Sequence, residues 1–263
     1  MPAKEFTHWA AGLRERADQS PVLPRQALLL DEPGCRIGSI EAALARRLCD
    51  AGLPLRASGP GWQVTGSPDA SLAEIAHWLH VRGLGGRWRN ELLAVTDDAG
   101  RAIAAIERSA ARPLGIATQA VHLVGGAADA SVWVQQRALD KATDPGLWDT
   151  LIGGLISAAE SIHDTLARET WEEAGLHLPE LQSVAGFGRL TVRRPVAEGY
   201  MVEHIHMFEG VVPEGVSPVN QDGEVAKFER IDLAELRQRL QRNNFTLEAA
   251  LILLLWLEHR GMA

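Results

Sequence analysis

Glu169, Glu172 and Glu173 stand at i, i+3 and i+4, just ahead of a glycine, Gly175, that can end a helix. The spacing predicts a helix over about Ser161 to Ala174 with the three carboxylates in one sector roughly 100° wide. Ile162, Leu166, Thr170 and Ala174 fall on an adjacent sector that can face a core. Three carboxylates on one face repel one another, which as a purely structural feature lowers stability. A divalent cation relieves the repulsion, and a cluster of oxygen donors without cysteine suits a hard ion such as Mg²⁺ or Mn²⁺. A solvated acidic helix face, with Arg168 neutralising a neighbour, is the plainer reading of the same residues.

The rest of the chain sets the frame. Its 263 residues allow one large or two small domains, and 46% hydrophobic with 23% charged residues is ordinary for a globular protein. With 26 Lys+Arg against 34 Asp+Glu the formal net charge is −8, which disfavours nucleic acid or an anionic membrane as a partner. An anionic small molecule stays open, because a bound metal can supply positive charge. The N-terminal residues carry no apolar leader core, and the longest apolar run, Ala249 to Leu257, is short for a membrane span. A cytoplasmic protein is the expectation. Cys35 and Cys49 form neither a disulfide framework nor a zinc set and read as free thiols.

The first third reads as mostly helical, with Ser39 capping one helix and Ser71 with Glu74 forming a capping box on a second that runs to about Arg82. Strands are expected at Leu92 to Thr96 and Arg101 to Ile106 around the turn Asp97-Asp98-Ala99-Gly100. Further strands are expected at Ala117 to Val124, Ser131 to Gln135, Gln182 to Val192, Met201 to Val212 and Val225 to Phe228. Asp140 to Asp149 reads as a loop, and two closing helices are expected at Leu233 to Arg242 and Leu247 to His259. The shift in character puts a domain boundary near Leu114: residues 1–114 as a smaller α+β domain and residues 115–263 as a second domain, helices layered on a mixed sheet.

The stretch from Gly154 to Leu176 resembles the signature of Nudix hydrolases, with all seven fixed positions present: Gly154, Glu160, Arg168, Glu169, Glu172, Glu173 and Gly175. Thr170 stands where an aliphatic is usual. The resemblance implies an α/β/α sandwich with a mixed sheet and Mg²⁺-dependent hydrolysis of a small-molecule diphosphate. By position, Glu172 and Glu173 are implied metal ligands, and Glu169 a further ligand or the base that activates water. Arg168 would orient Glu169 through a bidentate contact. Glu160 would support the metal shell. Gly153 and Gly154 would offer a carbonyl ligand and let the backbone approach phosphate closely. The helix N-terminus near Ser161 would favour the anion.

Outside this box, Trp88-Arg89-Asn90-Glu91-Leu92, Trp133 to Arg137, Lys141 to Asp149 and Gln221 to Phe228 resemble the Nudix proteins related to the thiamine pyrophosphokinase-associated Nudix domain, which carry an extra N-terminal domain. That branch implies thiamine diphosphate or its oxidised analogues as substrate. Lys141 and Arg137 are candidate phosphate contacts, Lys141 equally a loop lysine in water. Glu224 could complete the metal shell or cap a turn. His122 reads as a satisfied core histidine, and Asp149 as an organiser of the glycine loop. Trp62, Trp78 and Trp88 could stack on a heteroaromatic ring or pack in a core. Two other readings keep the fold: a pyrophosphatase of a nucleoside diphosphate derivative, and a non-catalytic ligand sensor. Isopentenyl diphosphate isomerase, which shares the fold, needs a cysteine after the lysine segment, and Leu151 to Ser157 contains none. The residues upstream of the box are expected to shape substrate choice or to make a dimer contact.

Overall fold

A computed structural model describes residues 3–30, 34–97 and 99–262 of the chain. The order begins α1 (Ala3–Ala17), β1 (Arg25–Leu30), β2 (Arg36–Glu41), α2 (Ala42–Asp50), β3 (Leu55–Ser58), β4 (Gly61–Val64) and α3 (Pro68–Val81). It continues β5 (Leu92–Thr96), β6 (Ala102–Glu107), α4 (Arg108–Ala111), β7 (Thr118–Gly126), β8 (Val132–Arg137), β9 (Trp148–Asp149), β10 (Ile152–Leu155) and α5 (Ile162–Ala174). A 3₁₀ turn at Leu178–Glu180 leads to β11 (Gln182–Val196), β12 (Gly199–Val211), β13 (Val225–Ile231), α6 (Leu233–Gln241) and α7 (Leu247–His259).

The central sheet runs β11-β12-β7-β8-β13, with β10 added to β7 and β9 to β8. It is mixed: β12 lies parallel to β7, and the other pairings are antiparallel. Strand alternation explains why both faces are covered. Along β7, Ala120 and Val124 join the cluster that packs on α7, while Val121 and Leu123 join the cluster under α5. Helices on both faces of a mixed sheet are the expected α/β/α arrangement. Leu247 to His259 is apolar nearly all round, which suits a helix closed in on several sides. Among the described residues no helix is long and apolar enough to cross a membrane.

An α+β region precedes this sandwich, and it departs from the helical reading of the first third. Four strands, in the order β2-β1-β4-β3, pack on α2 and α3 around Leu28, Ile40, Leu48, Leu72 and Ile75. Ser39 lies inside β2, and the helix that follows starts at Ala42 without a side-chain cap. Ser71 is inside α3, whose first residue is Pro68; its hydroxyl donates to the Thr65 carbonyl at 2.7 Å, so no Ser71–Glu74 capping box forms. Asp98 of the expected turn lies outside the described residues, while Asp97 accepts the Ala99 and Arg101 N–H groups at 2.9 Å.

The first helix packs on the far part of the chain. Ala10, Leu13 and Ala17 share the core of α7 and the central sheet, and Arg14 donates two hydrogen bonds to Glu258 at 2.7 and 2.8 Å. Burying a leucine such as Leu13 contributes about 1.5–3 kcal/mol. The β5–β6 hairpin reaches the sandwich too: Ala158 N–H donates to the Leu92 carbonyl at 2.8 Å, and Leu93 bridges to Ser157. Residues upstream of Leu114 thus touch the loop that leads into α5.

Candidate active site

The site is built where β10 meets α5. Strand pairing sets Gly153 opposite His122 and Gly154 opposite Val121 on β7. A Cβ on Gly153 would collide with the His122 ring, and one on Gly154 with the Glu169 carboxylate. Glycine is therefore required here by space, not by φ. The helix start is local chemistry: Ser161 and Asp164 form a reciprocal capping box. Gly175 ends the helix in the left-handed region at φ 63°. Thr170, the departure from the usual aliphatic, is buried, and its hydroxyl donates to the Leu166 carbonyl at 2.6 Å.

The three helix glutamates divide. Glu169 and Glu173, one turn apart, face β10, while Glu172 sits at the rim with its side chain 40% exposed. Glu173 is buried, and its Oε2 accepts from Gly153 N–H at 2.9 Å and from Gln135 Nε2 at 2.8 Å. Burial, and next the charge of Glu169, push its carboxyl well above the usual carboxylate range. Burial likewise pushes Glu169 up to about 7, against the pull of Arg168.

Arg168 gathers the remaining carboxylates. Its bidentate partner is Glu160, at 2.7 and 2.9 Å, and not Glu169 as the resemblance implied. Nη1 reaches Glu169 at 2.8 Å and Glu172 at 2.7 Å. Glu160, on the loop before the helix, takes the Nε–Nη2 edge of the guanidinium, which leaves Nη1 for the two helix acids. Hydrogen bonds from Arg168 hold the Glu160 carboxyl down at about 2.

An open cleft of about 670 Å³ joins these groups to the surrounding loops. Gly153, Gly154, Glu160, Arg168, Glu169 and Glu172 line it. So do Arg137, Lys141 and Glu224. Lys141 pairs with Glu224. Arg137 reaches Asp149 Oδ2 at 3.3 Å and the Thr143 carbonyl at 3.1–3.2 Å. His122 is a satisfied core histidine, 2.8 Å from the Thr150 hydroxyl, and burial lowers its pKa. Asp149 holds the turn into β10 by accepting Thr150 N–H at 2.9 Å. Ser161 lies off the cleft, its N–H taken by Asp164, so the helix N-terminus is closed by the chain's own acid.

Trp62, Trp78 and Trp88 do not line the cleft either. Trp62 donates to Gln26 at 2.7 Å, Arg47 and Arg82 cover Trp78, and Trp88 packs on His80 with ring centroids 5.0 Å apart. They belong to the small unit's core, not to a stacking surface. Sequence reasoning missed Gln135 as the partner of Glu173, because a glutamine inside a strand carries no motif of its own. It also missed Arg87, Arg108, Arg112, Glu203 and Glu248 along the cleft wall.

The donor set fits a hard divalent cation by its chemistry. Burial raises both Glu169 and Glu173, the charge of Glu169 raises Glu173 further, and Gly154 lies too close to Glu169 for any side chain. Among the described residues no three His, Cys, Asp or Glu side chains already converge as a preformed ligand group. Arg168 occupies one oxygen each of Glu169 and Glu172.

Comparison with known proteins gives the family. The NUDIX domain family model matches residues 93–251, more than half the chain. The chain belongs to the Nudix family, whose hydrolases generally use divalent metal ions. It is 27% identical over 185 residues to Nudix hydrolase 24, chloroplastic, of Arabidopsis thaliana, covering 68% of this chain and 51% of that protein. The chain thus spans about half the length of that relative. It is 31% identical over 156 residues to an isopentenyl-diphosphate Delta-isomerase of Streptomyces coelicolor, covering 59% of this chain and 78% of that protein. A crystal structure from Deinococcus radiodurans superposes with a TM-score of 0.49 at 16% identity, over 62% of this chain and 97% of that one.

Proposed function

We propose that the chain is a divalent-metal-dependent hydrolase of a diphosphate linkage, acting on thiamine diphosphate or an oxidised analogue. The observation that carries the hydrolase reading is Glu169 against Gly154 on a charged cleft, with Glu173 buried behind the glycine strand and hydrogen-bonded to Gly153 N–H. Glu169, Glu172 and Glu173, with the Gly153 carbonyl, would hold Mg²⁺ or Mn²⁺. Such an ion lowers the pKa of bound water and neutralises charge on phosphate oxygens. Glu169 would serve either as a further ligand of that ion or as the base that takes a proton from water. Arg168 positions it at 2.8 Å, and Glu160 fixes Arg168 in turn. Lys141 and Arg137 stand on the loop side of the cleft, where phosphate oxygens would meet them.

The thiamine reading is supported by where the branch-like segments fall. Arg89 and Glu91, Lys141 to Asp144, and Asp222 to Glu224 all contribute cleft-lining residues. An isomerase reading is disfavoured because Cys35 and Cys49 lie in the small N-terminal unit and not on the cleft. The division into residues 1–114 and 115–263 stands as a proposal, with α1 and the β5–β6 hairpin as the links between the two parts.

The test is the full chain with Mg²⁺, assayed against thiamine diphosphate, its oxidised analogues and nucleoside diphosphate derivatives with all products resolved. Phosphate release from the thiamine compounds, lost in Glu173→Gln, is expected. Turnover of nucleotides alone would move the substrate to the second class. Tight binding with no hydrolysis of any compound would make the chain a sensor.

A further inference from the structure

The segment between α3 and β5 brings the N-terminal unit to the cleft, and its backbone is pinned along its length. Gly86 N–H donates to the Ser109 carbonyl at 3.2 Å, and Gly85 lies so close to that carbonyl that a Cβ would meet it at 2.8 Å. Arg89 N–H donates to the buried Glu107 carboxylate at 2.9 Å. Trp88 turns inward, against His80 and the small core, with its indole N–H on Asn90 Oδ1 at 2.7 Å. Its neighbours turn the other way: Arg87 and Arg89 line the main cleft, and they also line an adjoining recess of about 110 Å³, while Trp88 lines neither.

These two arginines differ from the other cations of the cleft. Arg108 is paired with Glu91 at 2.8 Å, Arg112 with Glu198 at 3.3 Å, Arg137 with Asp149, Lys141 with Glu224, and Arg194 with Glu248 at 3.2 Å. Arg168 holds three glutamates. The guanidinium groups of Arg87 and Arg89 have no hydrogen-bond or ion-pair partner among the described residues. Two unneutralised forks on a fixed backbone, facing a cavity in a chain of net charge −8, are arranged for an anion that arrives from outside.

We propose that Arg87 and Arg89 form an anion subsite that holds a phosphate group of the substrate other than the oxygens engaged through the helix carboxylates. The N-terminal unit would then supply part of the substrate site, and the family box alone would be incomplete. This rests on the diphosphate reading above, but the binding it describes needs no metal.

The probe is inorganic pyrophosphate, titrated calorimetrically into the full chain in EDTA. Arg87→Ala/Arg89→Ala should weaken binding at least tenfold, while the exposed control Arg46→Ala/Arg101→Ala, which removes the same charge elsewhere, should not. Arg87→Lys/Arg89→Lys should restore part of the affinity, since a point charge replaces a fork. With a hydrolysed substrate, KM should rise at least tenfold in the alanine pair and kcat stay within about threefold. Unchanged pyrophosphate binding, or equal weakening in the control, would overturn the subsite. Loss of pyrophosphate binding in the alanine pair of a chain that hydrolyses no diphosphate would sink the proposed activity and leave the subsite standing.

Discussion

Glu173 Oε2 accepts the Gly153 N–H at 2.9 Å, which ties the middle of the glycine strand to the last turn of α5. The neighbouring pair, Gly154 and Glu169, is in direct contact one turn earlier. Strand and helix are thus registered residue by residue, and both carboxylates are withdrawn from water in the process. Their repulsion is what a cation would relieve.

The contact at Gly154 has a steric consequence. Gly154→Ala places a methyl where the Glu169 carboxylate now sits, so Glu169 must move while the fold elsewhere is untouched. Hydrolysis should fall about 10²-fold, the effect of displacing a positioned group by about an ångström. Circular dichroism should match the parent, and full activity would refute the placement of Glu169.

Arg168 and Glu160 make an acid-sensitive link. The Glu160 carboxyl is held at about 2, below its ordinary 4.5, so the pair stabilises the fold above about pH 4.5 and the benefit is lost as pH falls toward 2. Glu160→Gln should cost roughly 1–2 kcal/mol at neutral pH, discounted for partial exposure, and little near pH 2. Urea titrations at the two pH values measure the difference. Arg168→Lys should not replace the fork, because a lysine cannot make the two parallel bonds to Glu160.

Glu203 has the opposite sign. Burial, and next the charge of Glu248, raise its carboxyl to about 7, while Arg112, the Thr118 hydroxyl at 3.2 Å and Arg108 oppose the shift. A folded pKa above the unfolded one means that stability from this group is lost as pH rises from about 4.5 through 7. Glu203→Gln should therefore raise stability by roughly 2 kcal/mol at pH 8 and leave it unchanged near pH 4. A variant less stable than the parent at pH 8 would contradict this.

Metal binding should be visible without substrate. Saturating Mg²⁺ or Mn²⁺ should raise Tm, with about 2.7 kcal/mol gained at a hundredfold excess over Kd. Glu173→Gln should abolish most of the rise. An equal rise in that variant would place the ion elsewhere.

The first helix is tested by Leu13→Ala. Leu13 is 1% exposed in the core it shares with α7, so the change should cost about 2–4 kcal/mol. Amide exchange should quicken in α7 while β1 to β4 keep their protection. Faster exchange confined to the small sheet would show that α1 does not support the sandwich.

What could be read from the chain alone was local. Helix α5 and its Gly175 stop followed from a 3.6-residue period and short-range caps, which act within a turn, and α7 from its continuous apolar run. The small sheet was not legible: Leu28, Leu29 and Leu30 run together in β1, and short strands with little alternation look like buried helix until their partners are known. The serines at 39 and 71 misled for the same reason, since a cap depends on where the helix begins in space.

The sequence by itself determined the family, the central helix and the identity of its acids, because those depend on residue type and spacing along one element. Only the tertiary structure decided their division of labour. Pairing of β10 with β7 buried Glu173, set Glu169 mostly out of water on the cleft and left Glu172 at the rim. A loop folded back to give Arg168 its bidentate partner in Glu160. The turn of Trp88 into the small core aimed Arg87 and Arg89 at the cleft. Each depends on how strands, loops and helices fold against one another, where burial and direction, not composition, set what a charge can do.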